Sequence, residues 1–194
     1  MSTFILYFRL GYRHVLDMYG VDHMLFIIAI MSVFMLRDWR RAMILFLFYV
    51  LGNSLSLSLA VNEIIRIDIN IIDYLIPVTV LVAAVINIFK KHESYTPRSI
   101  VRFVIILIIG FIHGFGYADY LMDILGSDLN LAIPILGFNL GVELGLLFVA
   151  FAFLIISWVF VNNLGISRRD WNLVISSGIA GIALTLMFES RYWL

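Results

Sequence analysis

The sequence contains no cysteine and few charged residues, and its net charge is zero. The absence of cysteine excludes disulfides, thiolate nucleophiles and thiolate metal sites, so any metal must be bound through nitrogen and oxygen. Charged residues make up 13% of the chain against 63% hydrophobic residues, which leaves too little polar surface for a soluble protein. A chain with zero net charge has no overall electrostatic attraction for nucleic acid, so no nucleic-acid partner is expected. Composition therefore predicts a protein that lies in the lipid bilayer.

Apolar runs close to the roughly 20 residues needed to cross a bilayer define six predicted spans. They cover residues 21–36, 42–61, 71–89, 100–118, 131–161 and 172–189. The first is short for a span, and the fifth is long enough to tilt or protrude. Before the first span, Phe8 to Met18 is predicted to form a short N-terminal interfacial helix, with Gly20 allowing a bend into the membrane. We therefore predict an all-α, polytopic bundle with a single transmembrane domain over residues 1–194.

The distribution of basic residues predicts the orientation of the bundle. The loops after the first, third and fifth spans carry most of the basic charge and should be cytoplasmic. The loops after the second and fourth spans are acidic or mixed and should face the outside, so both termini are expected to be external. The basic residues are Arg37, Arg40, Arg41, Lys90, Lys91, Arg98, Arg168 and Arg169, and the acidic ones are Glu63, Asp68, Asp119, Asp123 and Asp128.

Polar and ionisable side chains inside the predicted spans are the main functional signal. A charge at the centre of a membrane helix costs about 2.5–3.5 kcal/mol, so such residues are functional suspects. At about 1.5 Å per residue, Asn53, His113, Asn139 and Glu143 lie about 8–18 Å below the outer boundary, and the other residues lie nearer to the surface. All of them fall in the outer half of the bilayer, which predicts a shared cavity open to the outside. The residues are Asp22, His23, Asn53, Ser54, Asp73, His113, Asn139 and Glu143.

The fifth span presents two different faces. Asn139 and Glu143 are four residues apart and share one face of the helix. On the roughly opposite face, Gly137, Gly141 and Gly145 form a stripe of small residues that permits close approach of a neighbouring helix. The fifth span is therefore predicted to be central, packed on one face and polar on the other.

These polar side chains also have structural interpretations. His113 can be a hydrogen-bonded packing residue, and Asn53 can bond a neighbouring helix. Asp22 and Asp73 can favour the positive end of a helix dipole. Glu143 is harder to explain in this way, because a buried carboxylate must be paired, bound to a metal or protonated.

Histidine and carboxylate side chains together suit a divalent transition metal, and the order of affinities does not choose among nickel, cobalt and zinc. The same groups could instead hold a metal with three protein ligands and a water, as in a metal-dependent intramembrane hydrolase. A third interpretation is a structural or accessory subunit whose polar residues only hold helices together. That interpretation predicts no metal and a full set of internal hydrogen bonds.

Several segments of the sequence occur in a characteristic order. They are GYRHVLDMYGVDHMLFIIAI, GNSLSLSLA, Asp73 followed by IPVTVLVAAVINI, GFIHGFGYADYL and LGFNLGVELG. Together they resemble the HupE/UreJ family of bacterial membrane proteins over about residues 8–150. This family is regarded as metal permeases, chiefly for nickel and sometimes cobalt, associated with hydrogenase and urease systems. The resemblance implies a multi-pass protein of the bacterial inner membrane.

The resemblance also implies site residues, with three departures from the family pattern. Asn53 stands where the family usually has a histidine, Leu146 replaces a glutamine and Ile86 replaces an acidic residue. Losing the histidine could shift the metal preference towards harder ions, weaken binding or mark a member with another task. The residues that fall on the family motifs are His14, Asp22, His23, Ser54, His113, Asn139 and Glu143.

We therefore predict a divalent metal-ion permease, or metal-binding membrane protein, that takes a nickel- or cobalt-type ion from the outer face. Asp22 and His23 are expected to capture the ion near the surface and pass it to His113 and Glu143, before release on the inner side. The direction of movement, the coupling ion and a homo-oligomeric state are left open. The candidate metal ligands are His14, Asp22, His23, His113 and Glu143, supported by Asn53, Ser54, Asp73 and Asn139.

Overall fold

The computed structural model describes residues 2–17, 20–89, 100–125 and 131–190, and regular structure in these ranges is helical. Part of the predicted cytoplasmic loop, with Lys90, Lys91, His92 and Arg98, lies outside the described residues, as do Met18 and Asp128. The α-helices are α1 (Thr3–Leu16), α2 (Val21–Met31), α3 (Trp39–Val61), α4 (Ile69–Phe89), α5 (Ile100–Ile124), α6 (Ala132–Trp158) and α7 (Arg168–Glu189). A 3-10 turn, Leu36–Asp38, precedes α3, and a π-helical turn, Val159–Asn163, extends α6.

Five of these helices, α3 to α7, are long and apolar enough to cross a membrane. The helices α1 and α2 are each too short, but together, across a bend of 68°, they make a sixth candidate span. With its π-helical extension α6 covers 32 residues, in agreement with the long fifth span of the sequence prediction. The prediction of a polytopic helical membrane protein is confirmed.

The first span is built differently from its prediction. The sequence predicts one span over residues 21–36 after a surface helix that starts at Phe8, whereas α1 begins at Thr3 and α2 ends at Met31. The helix α1 packs along α6 as part of the bundle instead of lying apart from it. Because α1 supplies the first part of this span, α2 starts deeper in the bundle than expected.

The glycine stripe of α6 explains why α1 packs there. An added Cβ at Gly141 would collide with the backbone of Phe8, and one at Gly137 would meet the backbone of Phe4. The third glycine, Gly145, lies against the side chain of Val15 near the end of α1. Residue numbers rise together along both helices, so α1 and α6 run parallel with their backbones in contact. This is the close packing that the sequence predicts for the stripe.

A second backbone contact joins α3 to α5. An added Cβ at Gly110 would collide with the backbone of Tyr49, and one at Gly114 would collide with the backbone of Asn53. These two helices therefore also run parallel, and they place the polar residues of α3 directly against His113. We refer to the end of the bundle where α3 and α5 finish as the predicted outer end.

A hydrogen-bonded network joins α2, α4 and α7 towards the opposite end. Asn87 donates its side-chain amide to the carbonyl of Ala29 at 2.7 Å, and Asn172 donates to the carbonyl of Asn87 at 2.9 Å. Ser32 donates to the Asn172 side-chain oxygen at 3.1 Å. No polar cluster in this half of the bundle was predicted from the sequence. The network fixes the last turn of α2, whereas the first turn of α2 faces the site described next.

Candidate metal centre

Asp22 and His23 form a bonded pair at the first turn of α2. The Nδ1 atom of His23 lies 2.7 Å from Oδ1 of Asp22, and the same oxygen accepts the backbone N–H of His23 at 2.8 Å. His23 is 4% exposed, whereas the Asp22 side chain retains 25% exposure. Gly20 makes this arrangement possible, because an added Cβ there would collide with the carbonyl oxygen of His14 at the end of α1. The two short helices therefore meet closely enough to bury the imidazole.

The pairing with Asp22 determines which nitrogen of His23 is free. A carboxylate accepts hydrogen bonds, so Nδ1 carries the proton and Nε2 of the neutral ring keeps its lone pair. That Nε2 atom lies 3.4 Å from the carbonyl oxygen of His113, so a proton on Nε2 would be donated to this oxygen, and a metal ion bound by both atoms would take the place of that proton. Two ligands about 2.1 Å from one tetrahedral ion lie about 3.4 Å apart, so a single metal ion could be bound by both atoms.

The imidazole of His113 is fully occupied by hydrogen bonds. The Thr79 hydroxyl donates to the carbonyl of Ile76 at 2.7 Å, so it must accept from Nε2–H of His113 at 2.9 Å. The remaining nitrogen, Nδ1, accepts from the Tyr49 hydroxyl at 3.2 Å. His113 is completely buried, and it connects α3, α4 and α5 in this way. Its side chain has the contacts of a packing histidine, while its carbonyl oxygen faces His23.

Two tyrosines separate His14 from this pair. The ring of His14 stacks on Tyr120 with centroids 4.0 Å apart, and the ring of His23 stacks on Tyr117 with centroids 3.9 Å apart. In the part of the chain that the structure describes, no three histidine, aspartate or glutamate side chains come together as a metal-binding group. The predicted ligand set is thus brought together only in part, as Asp22, His23 and the backbone of His113.

Unpartnered polar groups lie beside the imidazole of His113. Both polar atoms of the Asn53 side chain are buried without a hydrogen-bond partner among the described residues, whereas the hydroxyl of Tyr117 lies within hydrogen-bonding reach of the Tyr49 hydroxyl. Asn53 lies at the level of Gly114, the residue after His113 on α5, and Tyr117 lies about one turn farther along α5. Because buried polar groups are normally bonded, the Asn53 atoms fit a site that receives a polar or ionic ligand.

Glu143 belongs to a separate cluster between α3 and α6. Its Oε1 atom accepts from the Ser54 hydroxyl at 2.8 Å and from the Asn139 amide at 2.6 Å. The same amide group donates to Ser54 at 2.8 Å. The shared face of Asn139 and Glu143 is therefore as predicted, but Glu143 does not join the histidines. The Oδ1 atom of Asn139 is buried without a partner among the described residues.

Asp73 lies between the predicted outer end and the Asp22–His23 pair. It is exposed on the first turns of α4, and it lies within electrostatic range of both Asp119 and Asp22. A cavity of about 320 Å³ opens between α3, α4 and α5, and its lining includes Asp119 and the ion pair of Glu63 with Arg66. The carboxylates thus lead from the end of the bundle towards Asp22. Contrary to the predicted depths, His23 lies at the level of His113 rather than above it, since α1 forms the outer part of that span.

Three residues that contact the site were not predicted from the sequence, namely Tyr49, Thr79 and Tyr117. Each is uncharged and lies in an apolar run, so neither charge nor hydropathy distinguishes it. The available signal was spacing, since Tyr49 and Tyr117 each lie four residues from a residue that was identified, Asn53 and His113. Thr79 carries no comparable signal.

Comparison with known proteins places the chain in one family. A family model described as "HupE / UreJ protein" matches residues 1–192, which is nearly the whole sequence. No curated protein and no solved structure gives a match.

Proposed function

Since the chain belongs to the HupE/UreJ family, we propose that it is a permease that moves a nickel- or cobalt-type divalent ion across the membrane. The family implies a membrane protein related to nickel or cobalt transport. In this proposal the ion is the substrate, which passes through the protein and does not stay in it as a cofactor. The proposed setting is the bacterial inner membrane, with both termini on the outer side.

One observation carries the proposal, namely the position of the His23 ring. Its Nε2 atom lies 3.4 Å from the carbonyl oxygen of His113, where it can hold either a proton or a metal ion, and its other nitrogen is held by Asp22 at 2.7 Å. A carboxylate bonded to the distal nitrogen fixes the tautomer of a metal-binding histidine and makes it more basic. Imidazole nitrogen combined with oxygen ligands suits nickel, cobalt and zinc. Asn53 and Tyr117 would supply further oxygen atoms beside this point.

The carboxylates of the predicted outer end support a route to this site. A divalent cation entering between α3, α4 and α5 would pass Asp119 and then Asp73 before reaching Asp22. Opposite charges along a cleft raise the local concentration of a cation and its rate of association. The bend between α1 and α2 places the ligands within the bundle, as broken helices do in other membrane transporters. Movement of α2 is the proposed means of release towards the opposite end.

The structural-subunit interpretation is less well supported by these contacts. It predicts that every buried polar group has a partner, whereas both polar atoms of the Asn53 side chain and the Oδ1 atom of Asn139 have none among the described residues. The hydrolase interpretation needs three protein ligands around one ion. Within the described ranges no such group of histidine and carboxylate side chains is formed.

Uptake of radioactive nickel and cobalt into proteoliposomes tests the proposal. The wild-type protein should give saturable uptake that exceeds that of empty liposomes, and His23→Gln should remove most of it. His92→Gln is the matched control, because it removes the one histidine that was not identified as a candidate ligand. Equal uptake by wild type and His23→Gln, or no uptake above empty liposomes with either metal, would refute the permease.

A further inference from the structure

A groove separates α4 from α5 at the end of the bundle opposite the predicted outer end. Nearer the predicted outer end the two helices touch, since the Thr79 hydroxyl bonds the ring of His113 and Gly116 lies against the side chain of Ile76. Towards the opposite end a cavity of about 290 Å³ lies between them, and α2 contributes to its lining. We call this cavity the α4–α5 groove.

The α4–α5 groove is mostly apolar and opens sideways, between two helices that are long and apolar enough to cross a membrane. Its rims include Ile86 on α4 and Ile105 on α5, which are 57% and 49% exposed, whereas Ile30 of α2 at its floor is 7% exposed. Along α5 the lining runs from Arg102 to Ile109, which is about 10 Å at 1.5 Å per residue. The hydrocarbon of one leaflet is about 15 Å thick. The groove therefore has the length and polarity of a lipid acyl chain that lies along the bundle.

A positive charge lies at one end of this groove. Arg102, in the first turn of α5, is the one charged side chain among the described residues that line it. Asn87 lines the same end, and its side-chain amide donates to the carbonyl of Ala29. Arginine binds phosphate oxygens through parallel N–H bonds, and basic pockets between membrane helices bind anionic headgroups. A cation at the end of an apolar groove is therefore complementary to a lipid that has an anionic headgroup.

The two walls of the groove are held apart by contacts with other helices. The wall formed by α5 is held against α3, where an added Cβ at Gly110 would collide with the backbone of Tyr49. The wall formed by α4 is held to α2 and α7, because Asn87 bonds the carbonyl of Ala29 and accepts from Asn172. An empty gap lined by apolar side chains loses the dispersion contacts that a filled one makes. Since the walls do not close, an acyl chain that enters the groove gains these contacts.

We propose that the α4–α5 groove is a binding site for one anionic phospholipid. Its phosphate lies at Arg102, and one acyl chain lies between α4 and α5 with its side against Ile30 of α2. In the predicted orientation this lipid belongs to the cytoplasmic leaflet. The site shares no residue with the Asp22–His23 pair, and the proposal does not depend on metal transport.

Native mass spectrometry of delipidated protein in detergent tests the headgroup. Wild-type protein should bind one phosphatidylglycerol roughly fivefold more tightly than phosphatidylcholine with the same acyl chains, and Arg102→Gln should remove this preference. Arg168→Gln is the matched control and should retain it, because Arg168 lies at the same end of the bundle but lines a different cavity, with Arg37. Equal binding of the two lipids by wild type, or an unchanged preference in Arg102→Gln, would overturn the proposal. Loss of the preference in Arg168→Gln would place the headgroup in the other cavity and would also refute it.

Filling the groove tests the position of the acyl chain. Ala83→Phe places a ring in the lining and should lower the affinity for phosphatidylglycerol about tenfold, the effect of losing about two buried methylene groups. Val174→Phe is the matched control, because Val174 is exposed on α7 and lies six residues from the end of its helix, as Ala83 does on α4. Wild-type affinity in folded Ala83→Phe would contradict the proposal. Arg102→Gln adds no volume, so its result decides the matter if Ala83→Phe does not fold.

Photolabelling distinguishes a lipid in the groove from lipid on the outer surface of the bundle. A phosphatidylglycerol with a photoreactive group near the middle of one acyl chain should label Ile30, which lies behind the rims of the groove. A chain on the outer surface would label exposed residues such as Val85 and Ile108 instead. Label confined to exposed residues, with none on α2, would show that the groove does not hold the lipid.

Discussion

Asp22→Asn is the substitution that tests the metal centre most directly. The carboxylate of Asp22 accepts the Nδ1 proton of His23 at 2.7 Å and thereby leaves Nε2 as the free nitrogen. An asparagine can rotate its amide N–H towards the ring, which favours the opposite tautomer and places the proton on Nε2. The variant also loses the negative charge beside the bound cation. Both effects weaken metal binding while leaving the size of the side chain almost unchanged.

The expected loss can be given a magnitude. Removal of a hydrogen-bonding partner behind a metal-binding histidine typically lowers metal affinity about 10- to 100-fold. This corresponds to about 1.4–2.7 kcal/mol in the free energy of nickel binding. Because Asp22 is partly exposed and His23 is almost fully buried, we expect the larger part of the loss to come from the imidazole tautomer.

Isothermal titration calorimetry with nickel, on protein in lipid nanodiscs, measures this loss. The matched control is Asp68→Asn, since Asp68 is exposed and its side-chain oxygen accepts the N–H of Asn70 at 3.0 Å, a bond that asparagine also makes. The control should bind nickel with the wild-type affinity. If Asp22→Asn does the same to within a factor of two while remaining folded, Asp22 and His23 do not form the metal centre.

Three further substitutions separate packing from function. Gly141→Leu should lower the free energy of unfolding by about 1–3 kcal/mol or more in a thermal unfolding assay, because the larger side chain overpacks the contact with α1. Gly178→Leu is the control and should be nearly neutral, because no atom lies within 4 Å of its added Cβ. Thr79→Val leaves Nε2–H of His113 without an acceptor and should cost about 1–3 kcal/mol in the same assay, and an unchanged melting temperature would argue against the assigned tautomer. Asn53→Leu should preserve or raise the melting temperature, since it removes two unpartnered buried atoms, while it lowers nickel uptake; unchanged uptake would exclude a role in transport.

The number of long helices could be predicted from the sequence because hydropathy over a window of about 20 residues measures the cost of crossing the bilayer directly. The same measure fails for α1 and α2, which have 14 and 11 residues. Their membership in the bundle depends on contacts with α6, α4 and α7, and a one-dimensional pattern does not contain those contacts. The glycine stripe of α6 predicted close packing, but it could not identify α1 as the partner.

The sequence identified candidate site residues, but it did not indicate which of them lie together. Consecutive residues on a helix point about 100° apart, so Asn53 and Ser54 face different neighbours although both lie at similar depth. Depth alone therefore suggested one cavity, whereas the structure separates the His113 region from the Glu143 cluster. The missing information was the rotation of each helix about its own axis, which is set by the glycine contacts of α3 with α5 and of α6 with α1.

The pairing of α1 with α6 has a consequence for the biogenesis of the protein. At 14 residues α1 is too short to remain stably inserted alone, and the surface that accommodates it belongs to a helix made much later in translation. We therefore expect α1 to reach its final packing only after α6 has been synthesised and inserted. A chain truncated before α6 would lack the glycine surface on which α1 packs.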